Sequence, residues 1–355
     1  MSLTQEELVD LYIKSCPIFY FHKDEPYMPC DFDDILRISS VNINEFKNNY
    51  KNVKMITIPD DKKFNHPIGK QVLCKTLGEY TVANVTYIDL MYVLTFTWNG
   101  TREPHAFDKE QACVRLKKIG NLWEIYKVFG SAHGNGMWWE ATRLDKEDNR
   151  IILYAGNESH ALYSIAKTHK RIFGFGDDVC AKDIKWLPTE FVVYETGPIL
   201  TENIKIYNNM KQIIREDVSY FAYTGHIGNE DNDQDWAGSI IFDPINFDSY
   251  YKYQGGFDSI FSGHYKVITT PIRYLIRTVS GIVWLLFFGF LIYNNMIKSS
   301  QFNSIYKNMG IFGLQLLIVV ILFVTGAYMS WEMFIISPIN DYDTWNAPID
   351  IELDE

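Results

Sequence analysis

The chain has 355 residues, 47% of them hydrophobic and 22% charged, a globular composition that is too apolar for a disordered protein. The formal net charge of −11, with no basic stripe, excludes nucleic acid as a partner, because phosphate binding needs clustered Lys and Arg. The cysteines Cys16, Cys30, Cys74, Cys113 and Cys180 make no CxxC pair. Neither a zinc site nor a disulfide framework is expected, and reduced thiols in a cytosol-facing domain fit better.

In chain order, Thr4-Gln-Glu-Glu7 is a capping box followed by Leu8, Val9, Tyr12 and Ile13 at helical spacing, which predicts a short helix. Residues 16–21 read as a strand. His22, Asp24 and Glu25, followed by Pro26 and Pro29, read as a solvated turn. Residues 84–98 are β-rich and end at the hairpin dipeptide Asn99-Gly100. Residues 114–118 and 122–129 read as strands joined at Gly120-Asn121, and 151–154 and 190–194 as shorter ones. Residues 204–215 read as a helix capped by Thr201. The acidic run at 230–235 has Trp236 and Phe242 where a calcium loop needs Gly and a bidentate Glu, so it reads as a solvated loop. The expected fold class is mainly β, an antiparallel β-sandwich with a few helices. It occupies residues 1–200 and is extended by a helix and acidic loop at 201–270.

Residues 278–297 and 309–331 carry no charged side chain. At 1.5 Å rise per residue each is long enough to cross a hydrocarbon core of ~30 Å. A transmembrane helical hairpin is therefore expected within 271–335, followed by an acidic tail at 336–355. Lys266, Arg273 and Arg277 flank the first stretch against Lys298 and Lys307 in the connector, which favours a cytosolic soluble domain and tail. No charged-then-apolar leader opens the chain. The sequons at Asn84, Asn99 and Asn157 are of a kind that arises by chance.

The chemically specific stretch is a broken glycine–histidine block: SAHGNGMWW at 131–139, AGNESHALY at 155–163 and HKRIFGFGDDVC at 169–180. Its ligand-binding candidates are His133, Trp138, Trp139, His160, Asp177 and Asp178. The imidazoles read as ligands or as hydrogen-bonded structural groups between glycine turns. The tryptophans read as a stacking wall or as packing, and the aspartates as turn residues.

The segment PIFYFHKDEPYMPCDFD at 17–33 resembles the opening of the vacuolar protein sorting-associated protein 62 family, P-x-hydrophobic-x-x-H-x-x-E-x-Y-x-P-S. The glycine–histidine block resembles that family's S-x-H-G-G-G-x-W, A-x-G-S-H-A and R-I-F-G-F-A-N-D patches, in the same order, and the two apolar stretches lie outside the resemblance. It implies an all-β sandwich with a role in vacuolar delivery of cargo. The family's G-D-W-E-H motif is similar to the G-H-R-H-D-W-E motif of necrosis-inducing cytolysins, which bind a divalent cation and membrane sphingolipids. The matching segment here is FDKEQACV at 107–114, which keeps Asp108 and Glu110 but has Lys109 and Gln111 in place of Trp and His.

Asp108 and Glu110 lie two apart on an expected strand and share a face. With His133 or His160 they form a candidate site for a divalent cation; alternatively they face water on an edge strand. The expected function is a membrane-anchored, non-enzymatic β-sandwich module for protein or lipid interaction, without a cofactor. It would serve vacuolar or endomembrane trafficking, or be a structural protein of the inner membrane of a large DNA virus. The alternative is a metal-dependent, membrane-associated hydrolase using Asp108, Glu110, His133 and His160. A membrane-damaging protein is a third reading, against which the two expected spans argue.

Overall fold

A computed structural model describes residues 3–82, 84–100, 104–132, 135–169, 177–197, 200–229 and 232–235. Helix α1 (Gln5–Ser15) begins as its sequence dictates. Thr4 Oγ1 accepts from Glu7 N at 3.2 Å and Glu7 Oε2 accepts from Thr4 N at 2.8 Å. Its Leu8, Val9, Tyr12 and Ile13 are buried, and Tyr92 OH donates to the Tyr12 carbonyl at 3.0 Å. Two short helices follow, α2 (Phe32–Ile38) and α3 (Ile43–Asn49).

The strands run β1 (Ile18–Phe21), β2 (Met55–Thr57), β3 (Gln71–Lys75), β4 (Glu79–Val82), β5 (Val85–Asn99), β6 (His105–Ile119), β7 (Leu122–Ala132), β8 (Asn135–Glu140), β9 (Lys146–Glu147) and β10 (Arg150–Ala155). They continue with β11 (Leu162–Tyr163), β12 (Thr168–His169), β13 (Asp178–Val179), β14 (Ile184–Trp186), β15 (Glu190–Tyr194), β16 (Ile204–Asn208), β17 (Ile213–Arg215), β18 (His226–Asn229) and β19 (Asn232–Asp235). The larger sheet has the order β17-β16-β15-β3-β5-β6-β7-β8, with β4 on β5, and the second has β11-β10-β1-β14, with β9 on β10. The β6–β7 hairpin turns at Gly120 (φ 60°) and Asn121, as the turn chemistry requires.

The chain is mainly β with few helices, but its sheets are mixed rather than purely antiparallel. β1–β10, β3–β15 and β2–β18 pair in parallel, each joining strands far apart in sequence, where no hairpin constrains direction. The two main sheets share one apolar cluster. Phe19, Phe21, Leu153, Ala155 and Leu162 meet Leu90, Tyr92, Leu94, Phe96, Ala112, Val114 and Val128. The opposite face of the larger sheet is also covered, with Met91, Val93, Val192 and Ile206 against Phe32, Ile35, Phe46, Tyr220 and Phe221. Burial on both faces is why β5 reads as a continuous apolar run rather than an alternating one. Each fully buried Leu or Phe contributes about 1.5–3 kcal/mol.

Two local expectations are corrected. Residues 204–215 form the β16–β17 hairpin, not a helix. Ile204 and Ile206 are buried with Lys205 half-buried between them, which is the strand period, and Asn208 Oδ1 accepts from Met210 N and Gln212 N at 2.9 Å to hold the turn. Residues 232–235 form β19, paired antiparallel with β18, and are not a loop. Among the described residues no helix is long and apolar enough to cross a membrane. The expected spans at 278–297 and 309–331 and the acidic tail lie outside the described residues.

Candidate functional site: a buried acid–histidine cluster

β6 lies between β5 and β7 over residues 112–119, where its even-numbered residues from 112 to 116 face the shared apolar cluster, and pairs with β5 at residues 108–110. Asp108 and Glu110 lie on that same face, each 7% exposed, so the expectation of solvated edge-strand carboxylates is corrected. Phe107, at φ 65°, is a bulky residue in the left-handed region and interrupts the ladder between the Asp108–Phe96 and Ala106–Trp98 pairs.

His160 meets these carboxylates from the β10–β11 loop and is fully buried. The loop is tight: Gly156 N donates to Ala161 O at 2.8 Å, His160 N donates to Gly156 O at 2.8 Å, and His160 itself adopts φ 57°. A Cβ on Gly156 would lie 2.5 Å from Ser159 Oγ and 3.1 Å from Asp178 Cβ, so the close approach demands glycine. The His160 ring stacks on Phe96 with centroids 3.7 Å apart and planes 2° apart. Its Nδ1 lies 2.9 Å from Asp108 Oδ2, and its Nε2 lies 3.4 Å from Glu25 Oε1, an ion-pair contact rather than an aligned hydrogen bond.

The carboxylates have further partners. Asp108 Oδ1 accepts from Lys109 N at 2.9 Å, and Asp108 Oδ2 accepts from Asn99 Nδ2 at 3.1 Å. Glu25 accepts from Tyr27 N at 2.9 Å and Glu158 N at 2.6 Å. Ser131 Oγ donates to Glu110 Oε2 and accepts from Gln111 N at 2.7 Å. His105 Nε2 is 3.9 Å from Asp108 Oδ1. Burial alone lowers the His160 pKa, but Asp108 and Glu25 outweigh it and push it up to about 9. Glu110 is raised well above the usual carboxylate range, by burial first and then by the charge of Asp108, against the Ser131 hydrogen bond. The centre is thus an imidazolium held between two carboxylates, with a third carboxyl group whose surroundings favour its proton.

Of the predicted residues, His160, Asp108 and Glu110 come together, and His133 lies outside the described residues. Trp139 is buried in the shared cluster, and Trp138 packs on Phe129 and over the Arg115 guanidinium at 4.5 Å. Asp177 is partly buried. Asp178 lies on β13 rather than in a turn: it is fully buried and accepts from Ser159 Oγ at 2.6 Å and Tyr163 OH at 2.5 Å. Glu25 corrects the solvated-turn reading of 22–29, since it is 7% exposed and faces His160. Its signal was in the first family-like patch, as the acidic residue of H-x-x-E-x-Y-x-P. The Ser131, Asn99 and His105 roles were missed, although Ser131 opens the glycine–histidine block.

Among the described residues no three His, Cys, Asp or Glu side chains are arranged to hold a metal ion. Asp108 and Glu110 are the pair expected from the sequence to hold a cation. There the protonated imidazole competes, because ligation requires a neutral ring.

Neither a family profile nor a characterised protein matches the sequence. Among solved structures the chain is similar to one described as a toxin fold for microbial attack and plant defense, at 12% identity and TM-score 0.31, over 56% of this chain and 79% of that one. It is also similar to NLPPya in complex with mannosamine, at 13% identity and TM-score 0.30, over 53% and 74% of the two chains. Necrosis and Ethylene inducing Protein 2 from the causal agent of cocoa's Witches Broom disease gives 20% identity and TM-score 0.28, over 52% and 72%. TM-scores near 0.3 establish neither a common fold nor a common activity.

Chemically, the cluster is suited to holding parts together. It ties the 156–161 loop to β5 and β6 and, through Glu25, to the segment after β1. All five cysteines are free and buried, and burial raises the thiols of Cys16, Cys30, Cys74 and Cys180 above their usual range.

Proposed function

We propose that this chain is a membrane-anchored, non-enzymatic β-sandwich module that binds a protein or lipid partner. Its role is that of the vacuolar protein sorting-associated protein 62 family, in endomembrane trafficking, or of a structural protein in the inner membrane of a large DNA virus. The observation that carries the non-enzymatic part is the burial of His160 between Asp108, Glu25 and Phe96. A general acid or base must reach substrate directly or through one water, and here both ring nitrogens face carboxylates of the protein's own fold. The anchor is supported by the charge-free stretches at 278–297 and 309–331. Reduced, buried thiols support a cytosolic side for the soluble part.

The test is alkaline carbonate extraction of native membranes, followed by detergent purification of the full chain and identification of what co-purifies. Retention in the membrane pellet with a stoichiometric partner is the expected result. Release by carbonate removes the anchor. The metal-dependent hydrolase reading draws on the three carboxyl groups gathered around one imidazole. It gains the upper hand if the purified chain carries a stoichiometric divalent metal that Asp108→Ala and Glu110→Ala both abolish.

A further inference from the structure

Away from the histidine cluster, a cleft of about 460 Å³ opens where α2, the 67–70 segment and the first residues of β3 and β15 meet. Most charges on its wall are already matched. Asp33 is bound by Arg215 at 2.7 Å, Lys47 at 3.3 Å and Tyr220 OH at 2.6 Å, and Asp34 is paired with Arg37. Asp31 and Glu190 are different. Neither has a side-chain cation partner within ion-pair distance among the described residues, and the exposed Lys70 reaches Asp31 only through its backbone N–H, at 2.7 Å.

Both carboxylates converge on Gln71. Asp31 Oδ1 accepts from Gln71 N at 2.8 Å, and Gln71 Nε2 donates to Glu190 Oε2 at 3.0 Å. Gln71 is only 8% exposed, yet its Oε1 has no hydrogen-bond partner. A buried amide oxygen without a donor costs about 1–3 kcal/mol, and a site that supplies the missing donor recovers that cost. Asp31 is the N-cap residue of α2 but makes no side-chain cap bond. Asp31, Gln71 and Glu190 thus line one cleft with Gln71 Oε1 lacking a donor, while Ile43, Pro67 and Ile68 line the same cleft with apolar surface.

We propose that this cleft binds a primary alkylammonium group, with the ammonium directed to Asp31, Glu190 and Gln71 Oε1 and its methylene stem along Ile43, Pro67 and Ile68. An –NH3+ group carries three donors and no acceptor, which matches the three acceptor groups. The planar guanidinium fork pairs best with a single carboxylate and matches this arrangement less well. Burial, with help from Asp34 and Glu190, pushes the Asp31 carboxyl up to about 6 against the hydrogen bonds from Gln71 and Lys70. A bound cation favours ionised Asp31, so binding weakens as the pH falls through about 6.

The inference does not depend on membrane anchoring, which carbonate extraction tests separately. The full chain in detergent micelles is titrated calorimetrically at about pH 7.5 with Nα-acetyl-lysine methylamide, with 1,5-diaminopentane and with Nα-acetyl-norleucine methylamide. Saturable binding of one or both amines, and none of the norleucine compound, is expected. Asp31→Asn and Glu190→Gln, which keep the hydrogen-bonding shape of the wall, weaken binding about tenfold or more, as expected for losing a charged hydrogen-bond partner. Binding of the lysine amide points to a partner's side chain, and of the diamine alone to a free amine. Absence of saturable binding by the wild-type chain overturns the proposal, as does equal affinity in Glu190→Gln, the variant that leaves the Asp31 backbone contacts intact.

Discussion

Replacing His160 with Gln removes the charge from the centre of the buried cluster while keeping an amide that can donate to Asp108. The wild-type imidazole has a folded pKa of about 9 against 6.5 for the free side chain. Because the folded value is raised, the stabilisation is complete below about pH 6.5 and is lost as the pH climbs through about 9. Linkage gives about 3 kcal/mol at about pH 6, about 2 kcal/mol at about pH 7.5 and nearly none above about pH 9.5. Glu110 acts in the same direction: its raised carboxyl pKa means the folded state holds a proton that the unfolded chain releases above the usual carboxylate range. For a domain of this size 3 kcal/mol corresponds to a melting shift of roughly 6–12 °C. Thermal unfolding of the full chain in micelles, followed by intrinsic tryptophan fluorescence from about pH 6 to about pH 9.5, reads this directly. The wild type is expected to lose stability steadily across that range. The His160→Gln chain is expected to start lower and fall less steeply. Parallel curves for the two chains would refute the assignment of a charged imidazole, whatever their absolute melting points.

Three further outcomes follow from other contacts. Asp89 and Arg115 form a buried two-point ion pair, at 2.9 and 2.8 Å, that Tyr80 OH also joins at 3.1 Å. Asp89→Leu removes the carboxylate that two guanidinium nitrogens bind and is expected to cost about 3–5 kcal/mol in denaturant unfolding, and a loss well under 1 kcal/mol contradicts the burial argument. A Cβ on Gly130 would lie 2.9 Å from the Trp139 ring and 3.0 Å from Leu162 Cβ, so Gly130→Ala is expected to cost about 1–3 kcal/mol by overpacking. A neutral effect in the same unfolding assay counts against the packing described for Trp139. Asn99 Nδ2 is turned toward the buried Asp108, so its sequon should be unmodified in peptide mass spectrometry of the native protein, and a glycan on Asn99 counts against that side-chain placement.

Features governed by a few neighbouring residues were legible. The Thr4 capping box and the Gly120-Asn121 turn each depend on hydrogen bonds or dihedral angles within four residues, so the sequence specifies them locally. The 204–215 segment failed because Thr201 suggested the cap of a helix. The deciding signal was the alternation at Ile204 and Ile206, together with the turn-forming Asn208. The acid–histidine cluster was half legible. Asp108 and Glu110 share a face because they share a strand, and the family-like motif drew attention to His160. Glu25 reaches His160 from near the start of the chain, and no periodicity encodes such a contact. The cleft at Gln71 left no sequence signature, since Asp31, Gln71 and Glu190 come from three separated segments and their meeting depends on the parallel β3–β15 pairing.

The placement of β1 bears on how the molecule is made. Residues 18–21 lie between two neighbours, β10 at 150–155 in parallel and β14 at 184–186 in antiparallel register. On a ribosome moving at about 5–20 residues per second, Phe19 and Phe21 emerge on the order of ten seconds before either partner exists. During that interval an apolar strand with two unpaired edges is exposed, and the β5–β8 meander is completed first. The second sheet therefore cannot close until residues 150–186 have been made, whatever the early chain does before then.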